Sequence, residues 1–296
     1  MKMNTTNNAI LTPEFWAASL WQKALTRWSG RSGQDISYRK HLIHPALEVL
    51  LKENFTGGGI RILELGCGDG SLLDDRMLRE LVDNGGAYLG IDISNELIEK
   101  AKQAYIGGNI NFFSGNLTSP ELSDSILKYE QFWDCVLSVF TIQEIPDPGI
   151  MIDNLTRIIK GDVLTLFITV HPNFGEWLLR SGKMKKENNL IYKNEPGKTP
   201  WRWAGYYPIV DEPLEVFYLP YFHRTIGDYR SLFESHGFII HKIMELPEKT
   251  HDLPLLVKRG ISPFTPFKTN LYWPRIGEEP SSIAILVRKE GKSERT

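Results

Sequence analysis

From Arg61 onward, short apolar runs rich in β-branched residues alternate with stretches whose apolar positions recur at helical spacing. Runs of this kind predict strands at Arg61–Leu65, Ala87–Ile91, Ile110–Phe113, Trp133–Phe140 and Val163–Val170. Helices are predicted between them near Ser71–Val82, Asn95–Tyr105, Glu121–Lys128 and Gly149–Lys160. Strand and helix in strict alternation are the pattern of a parallel sheet with crossover helices, a doubly wound α/β fold. Upstream, Thr12-Pro13-Glu14 reads as a helix start, with Thr as N-cap and Pro at the first helical position. Phe15, Trp16, Leu20, Trp21, Leu25 and Trp28 follow at near-helical spacing until Gly30 and Gly33 break it, and a second helix is expected from Pro45 to Lys52. The interval from His171 to His223 shows no clear period. Beyond it, Ile226–Ser235 reads as a helix, Phe238–Leu246 as a strand and Ser282–Arg288 as a final strand before a charged, frayed tail. The expected organisation is a helical cap over residues 1–57 and one domain over 58–296 that carries an insertion at 171–223.

The chemistry concentrates where the first strand ends. Glu64-Leu65-Gly66-Cys67-Gly68-Asp69-Gly70-Ser71 runs from a buried strand into a glycine-rich turn and straight into a helix. Gly66 and Gly68 permit positive φ and let a ligand approach the backbone with no Cβ between them. The helix start beyond is expected to present unpaired N–H groups to the ligand's polar part. At the end of the second strand stands Asp92, about 20 residues past the turn, where a carboxylate can take both hydroxyls of a ribose. Asp92 could instead merely cap the helix that starts near Asn95.

A nicotinamide dinucleotide and an adenosyl sulfonium both carry such a ribose, and three features separate them. The third glycine of a dinucleotide turn would fall where Ser71 stands. Asp69 and Glu64 suit a pyrophosphate poorly but are compatible with a sulfonium and an amino group. The chain also ends in a helix, a strand, a long connection and a last strand, as in a seven-stranded sheet whose last strand inserts antiparallel. The run Glu64 to Gly70 resembles the first motif of class I S-adenosylmethionine-dependent methyltransferases, and the similarity extends over the sheet from about Arg61 to Arg288.

That resemblance implies S-adenosyl-L-methionine as cofactor, with Glu64, Gly66, Cys67 and Gly68 around its methionine part. Asp92 would hold the ribose and Ile93 flank the adenine. Gly115-Asn116-Leu117 occupies the place where the family usually sets an Asp to accept from the adenine amino group, and the Asn116 amide oxygen can still accept. Phe140 and the residues after it up to Glu144 would line the far side, toward the methyl acceptor.

On the acceptor side, residues 171–223 hold aromatic side chains at about twice the 11% of the whole chain, among them Phe174, Trp177, Tyr192, Trp201, Trp203 and Tyr221. At the carboxyl end of the sheet such an insertion suits a small aromatic or apolar metabolite, although a cap that packs on the core would look the same. A hydroxyl or protonated amine acceptor needs a base near neutral pH, for which His223 and His171 are the candidates and Glu144 the third. O- or N-methylation is expected ahead of C-methylation.

Bulk properties narrow the classes. With 42% hydrophobic and 24% charged residues and a net charge of -2, the 296-residue chain lacks the broad basic surface that holds a protein to DNA. Its 2 cysteines suggest a reducing compartment. The polar first ten residues are no secretion signal, and no run approaches the roughly 18 apolar residues of a membrane span, so a cytoplasmic protein is expected. Metal-ligand spacings are lacking. Two rivals stay open: a protein or RNA methyltransferase, and a non-catalytic S-adenosylmethionine-binding interaction subunit.

Overall fold

The computed structural model describes residues 12–24, 43–74, 76–129, 132–180, 182, 184–188, 190, 200–211, 215–246 and 280–289. Its elements in chain order are α1 (Pro13–Ala24), α2 (His44–Asn54), β1 (Arg61–Leu65), α3 (Arg76–Asp83), β2 (Ala87–Asp92), α4 (Asn95–Ala104), β3 (Ile110–Ser114), α5 (Leu122–Ile126), β4 (Cys135–Val139), α6 (Gly149–Ile158) and β5 (Leu164–Val170). There follow α7 (Pro172–Arg180), β6 (Lys185–Lys186), β7 (Trp203–Asp211), β8 (Glu215–His223), α8 (Ile226–Ser235), β9 (Phe238–Leu246) and β10 (Ser282–Lys289). Single 3₁₀ turns at Ser71–Asp74 and Ile142–Glu144 follow the ends of β1 and β4.

Seven strands form one sheet in the order β3-β2-β1-β4-β5-β10-β9. The first five pair in parallel, and β10 runs antiparallel between β5 and β9. Because side chains alternate along a strand, each face has its own core. Ile62, Leu137, Leu166 and Ile168 face α2, α3 and α4, whereas Leu63, Val136, Phe167 and Ile285 face α5, α6 and α8. Strand order reverses between β1 and β4, which opens a crevice at the carboxyl ends of these strands.

In the described part of the interval read from sequence as irregular, α7 is followed by a three-stranded antiparallel sheet, β6-β7-β8. Its period was hidden because consecutive residues are buried on both faces of its strands, as in Leu219 to His223. Pro220 also argued against a strand, and it is tolerated because β8 bonds to β7 alone among the described strands. The described part of the first 57 residues divides between two sites. Helix α2 buries Ala46, Leu47, Leu50 and Leu51 in the core of the large sheet. Helix α1 instead packs Trp16, Ala17 and Leu20 on Trp201, Ala204 and Phe222 of the small one. Leu25, Trp28, Tyr192 and the tail after Lys289 lie outside the described residues.

Candidate functional site

The turn after β1 is built by its glycines. Gly66, Gly68 and Gly70 have φ of 79°, 56° and 73°, in the left-handed region that a Cβ disfavours. A Cβ on Gly66 would also stand 2.0 Å from Thr141 Oγ1, so the tips of β1 and β4 meet there backbone to side chain. At the same tip Phe140, with φ 56°, is the one non-glycine among the described residues held at positive φ. Strain of this kind clusters at functional sites.

Several amides of this turn bond within the chain. Gly66 N and Cys67 N donate to Ile91 O at 2.7 and 2.9 Å, Gly70 N to Cys67 O at 3.0 Å, and Ser71 N to Asp69 Oδ1 at 3.2 Å. Gly68 N donates to Asp92 Oδ2 at 2.9 Å. These amides are engaged by the chain's own acceptors. The turn's electrostatics suit a cation. Glu64 and Asp69 are buried, Glu64 accepts from the Tyr88 hydroxyl, and Asp92 stands beside them. The buried Cys67 thiol feels all three: burial first, then Asp92, Glu64 and Asp69 push it well above its ordinary pKa. A ligand with a sulfonium and an ammonium meets that negative field favourably.

Asp92 does not cap α4. Ser94 does, accepting from Leu97 N at 3.1 Å. Asp92 Oδ1 accepts from Ser94 N and Oδ2 from Gly68 N, each at 2.9 Å. A carboxylate oxygen has a further lone pair, so both remain able to receive a ribose hydroxyl. Next to it Ile93 is 53% exposed, an apolar surface available to a base. Leu117 is buried in the α6-side core. Asn116 Oδ1 accepts from both Thr118 N at 3.0 Å and Thr118 Oγ1 at 2.9 Å, a local turn. Acceptance from an adenine amino group would require it to release one of these. Gly115 packs on Phe113 and Leu122, within 2.7 and 3.0 Å of where its Cβ would lie.

The second part of the site is a cavity of about 490 Å³ whose lining includes His171, Glu176, Arg202, His223, Thr225 and Glu245. His171 directly follows β5, two strands from β1, and strand spacing sets that separation at roughly 10 Å. Glu245 reaches the cavity from the same end of β9. The two candidate histidines thus face one space, and Glu144, buried in the turn after β4, stays outside its lining.

The histidines differ in what they can do. His171 Nδ1 accepts from Asn173 N at 3.1 Å, so the ring is the N-cap of α7, with Pro172 at the first helical position. Its Nε2 lies 3.3 Å from Glu245 Oε1. Proton uptake at Nδ1 would break the cap. His223 is stacked face to face on Trp203, at 4.8 Å and 4° between planes. Its Nδ1 is 3.3 Å from the Tyr221 hydroxyl and its Nε2 is 3.4 Å from Glu176 Oε1. Burial lowers its pKa, with Glu176 and Asp228 pulling the other way, so the ring is neutral near pH 7.

Most described rings of the insertion pack on each other and not on the cavity. Trp201 and Phe222 meet Trp16, and Trp203 and Tyr221 meet Met184. The cavity lining mixes charged side chains with the apolar surface of residues such as Pro172 and Ile226. Sequence reasoning missed Glu176, Arg202 and Glu245, which lie in segments with no motif. Arg202 grips Asp228 with two bonds, at 3.0 and 2.7 Å, and Asp228 completes a capping box with Thr225 at the start of α8. Arg224, 1% exposed, donates to the carbonyls of Ile142, Ile145 and Pro146. It thereby pins the loop after β4 to the end of β8.

A family model described as a methyltransferase domain matches residues 36–242. Among curated proteins, the ubiquinone biosynthesis O-methyltransferase of Coxiella burnetii is 28% identical over 138 residues, 47% of this chain and 55% of that protein. That of Yersinia enterocolitica is 27% identical over 145 residues, 47% and 54% of the two chains. The chain thus spans about half the length of the curated relatives it matches. An S-adenosylmethionine-dependent methyltransferase from Mesorhizobium loti superposes with TM-score 0.51 at 17% identity, covering 83% of this chain and 96% of that one. One from Clostridium acetobutylicum gives 0.52 at 12% identity, covering 93% and 98%. At these identities the likeness is one of fold. No described helix is long and apolar enough to cross a membrane.

Proposed function

The chain belongs to the methyltransferase-domain family, and from this premise we propose that it uses S-adenosylmethionine to methylate a hydroxyl oxygen of a small molecule seated in the cavity beside β5. The observation that carries this reading is the placement of His223 in a cavity that it shares with His171, the residue that follows β5, two strands from β1 in the large sheet. The O-methyltransferases among the relatives support oxygen as the acceptor atom.

When bound, the cofactor supplies a methyl carbon on a sulfonium, a good leaving group that departs as a thioether. The protein's own part is alignment and proton removal. Gly66 and Gly68 shape the turn, Asp92 takes the ribose hydroxyls, and Glu64 and Asp69 hold the local potential negative. His223 would take the proton of the acceptor hydroxyl at a ring nitrogen. A protein or RNA acceptor would call for a basic groove. The lining instead carries Glu176 and Glu245, and its Arg202 is already paired with Asp228.

The test is calorimetric titration of the purified chain with S-adenosylhomocysteine, followed by transfer of labelled methyl from S-adenosylmethionine to a panel of phenols and alcohols. Binding followed by incorporation into no member of the panel but into added protein or RNA would overturn the small-molecule assignment. No binding would overturn the cofactor reading.

A further inference from the structure

We propose that Glu176, fixed by Trp203, is a positioning residue that prepares His223 to accept a proton at Nε2, with Tyr221 holding the opposite ring nitrogen. This deepens the reading of His223 as the base and rests on it. A Cβ on Gly175 would lie 2.3 Å from the Tyr221 hydroxyl, so only a glycine lets α7 approach β8 this closely. That approach brings the next residue, Glu176, to His223. Trp203 Nε1 then donates to Glu176 Oε1 at 2.7 Å while the same indole stacks on the imidazole. One tryptophan thus fixes both the carboxylate and the ring plane.

The two ring nitrogens are treated differently. Tyr221 Oη is within hydrogen-bond reach of Nδ1 at 3.3 Å. Glu176 Oε1 lies 3.4 Å from Nε2, within ion-pair distance of the ring once it is protonated. With the proton on Nδ1 donated to Tyr221, the in-plane lone pair of Nε2 is left for the acceptor hydroxyl. When that proton arrives, the imidazolium forms beside the Glu176 carboxylate, which stabilises it. The other charged or titratable groups around the ring are Asp228 from α8, Arg202 and Arg224 at the strand ends, and the Tyr221 phenol, which burial pushes up and keeps protonated. His171 shares the cavity.

The experiment is nitrogen-15 imidazole NMR on the full chain across pH, with His171 as internal control. The expected result is His223 protonated on Nδ1 at neutral pH, titrating below ordinary histidine. Glu176→Gln should move its pKa down further, by roughly half a unit or more, and leave His171 unmoved. Trp203→Phe keeps a stacking ring but frees Glu176, and should give a smaller shift in the same direction. Glu176→Asp should restore part of it. A proton found on Nε2, or a His223 pKa indifferent to Glu176→Gln, overturns the proposal, and the unsubstituted protein alone decides the first point. S-adenosylhomocysteine affinity is measured on the same samples and should not change with Glu176→Gln. Its absence in the unsubstituted chain would sink the cofactor reading without touching this one.

Discussion

Asp92 Oδ2 accepts the Gly68 amide proton at 2.9 Å, so the carboxylate at the tip of β2 also holds the turn that leaves β1. One side chain thus shapes the glycine turn and, in the function proposed above, also takes the cofactor's ribose.

Replacing Asp92 by Ala should therefore weaken S-adenosylhomocysteine binding by roughly 1.5–3 kcal/mol, the range for lost hydrogen bonds to a charged group, read by titration calorimetry. The pH dependence has a definite sign. Burial pushes the Asp92 carboxyl up, and the Ser94 and Gly68 amides pull it only part of the way back. On acidification it should take up its proton above the ordinary carboxylate range, and affinity should fall there. Asp92→Asn should remove that step.

Gly66→Ala should destabilise the fold by roughly 2–4 kcal/mol, from a left-handed alanine and an overpacked contact. Thr141 is the atom group in the way. Adding Thr141→Gly should recover the overpacking part and leave the backbone part, as a double-mutant cycle of thermal or denaturant unfolding would show.

The cap at the start of α7 predicts that His171→Ala costs about 1 kcal/mol, and that His171→Asn costs little because Asn caps as well. Equal loss in both, measured by urea unfolding, would argue against the cap.

Arg224→Met should lower stability by roughly 3 kcal/mol, since it leaves buried carbonyls of the loop after β4 without their charged donor. Hydrogen exchange should rise in residues 141–147 more than in α2, which is remote from Arg224.

Asp228 gives an acid-side test. Burial pushes its carboxyl up, but the bonds from Arg202 and Thr225 outweigh this and hold it below the ordinary value. A group whose folded pKa is depressed stabilises the protein above its unfolded pKa and loses that contribution as pH falls through the folded one. Melting temperature should therefore fall more steeply on acidification in the unsubstituted chain than in Asp228→Asn.

The large sheet was legible because each strand is short, apolar and bounded by turn residues. Arg61–Leu65, Ile226–Ser235 and Phe238–Leu246 coincide with the observed elements. The predicted helix at Ser71–Val82 is instead a 3₁₀ turn followed by α3, a tightening common at helix starts. The small sheet was illegible: burial on both faces erases alternation, and prolines in β7 and β8 mimic loop. Of the site, residues that depend on backbone shape, such as Gly66 and Gly68, could be read from spacing. Glu176 could not, because its role arises from the approach of α7 to Tyr221, a tertiary contact that leaves no local mark. His171 was visible as chemistry, yet the Pro172 beside it was the better signal, that of a helix start.

The antiparallel insertion of β10 also sets the order in which the molecule can be completed. Ile283, Ile285 and Val287 fill one core while Ala284 and Leu286 fill the other. Until residues 282–289 are synthesised, β5 and β9 cannot be joined, and each offers a bare row of amide and carbonyl groups to its surroundings. Among the described strands it is β10 that joins β5 to β9 and closes this gap in the sheet. A translation stop before Ser282 would yield a sticky, aggregation-prone product even though every residue of the glycine turn had been made.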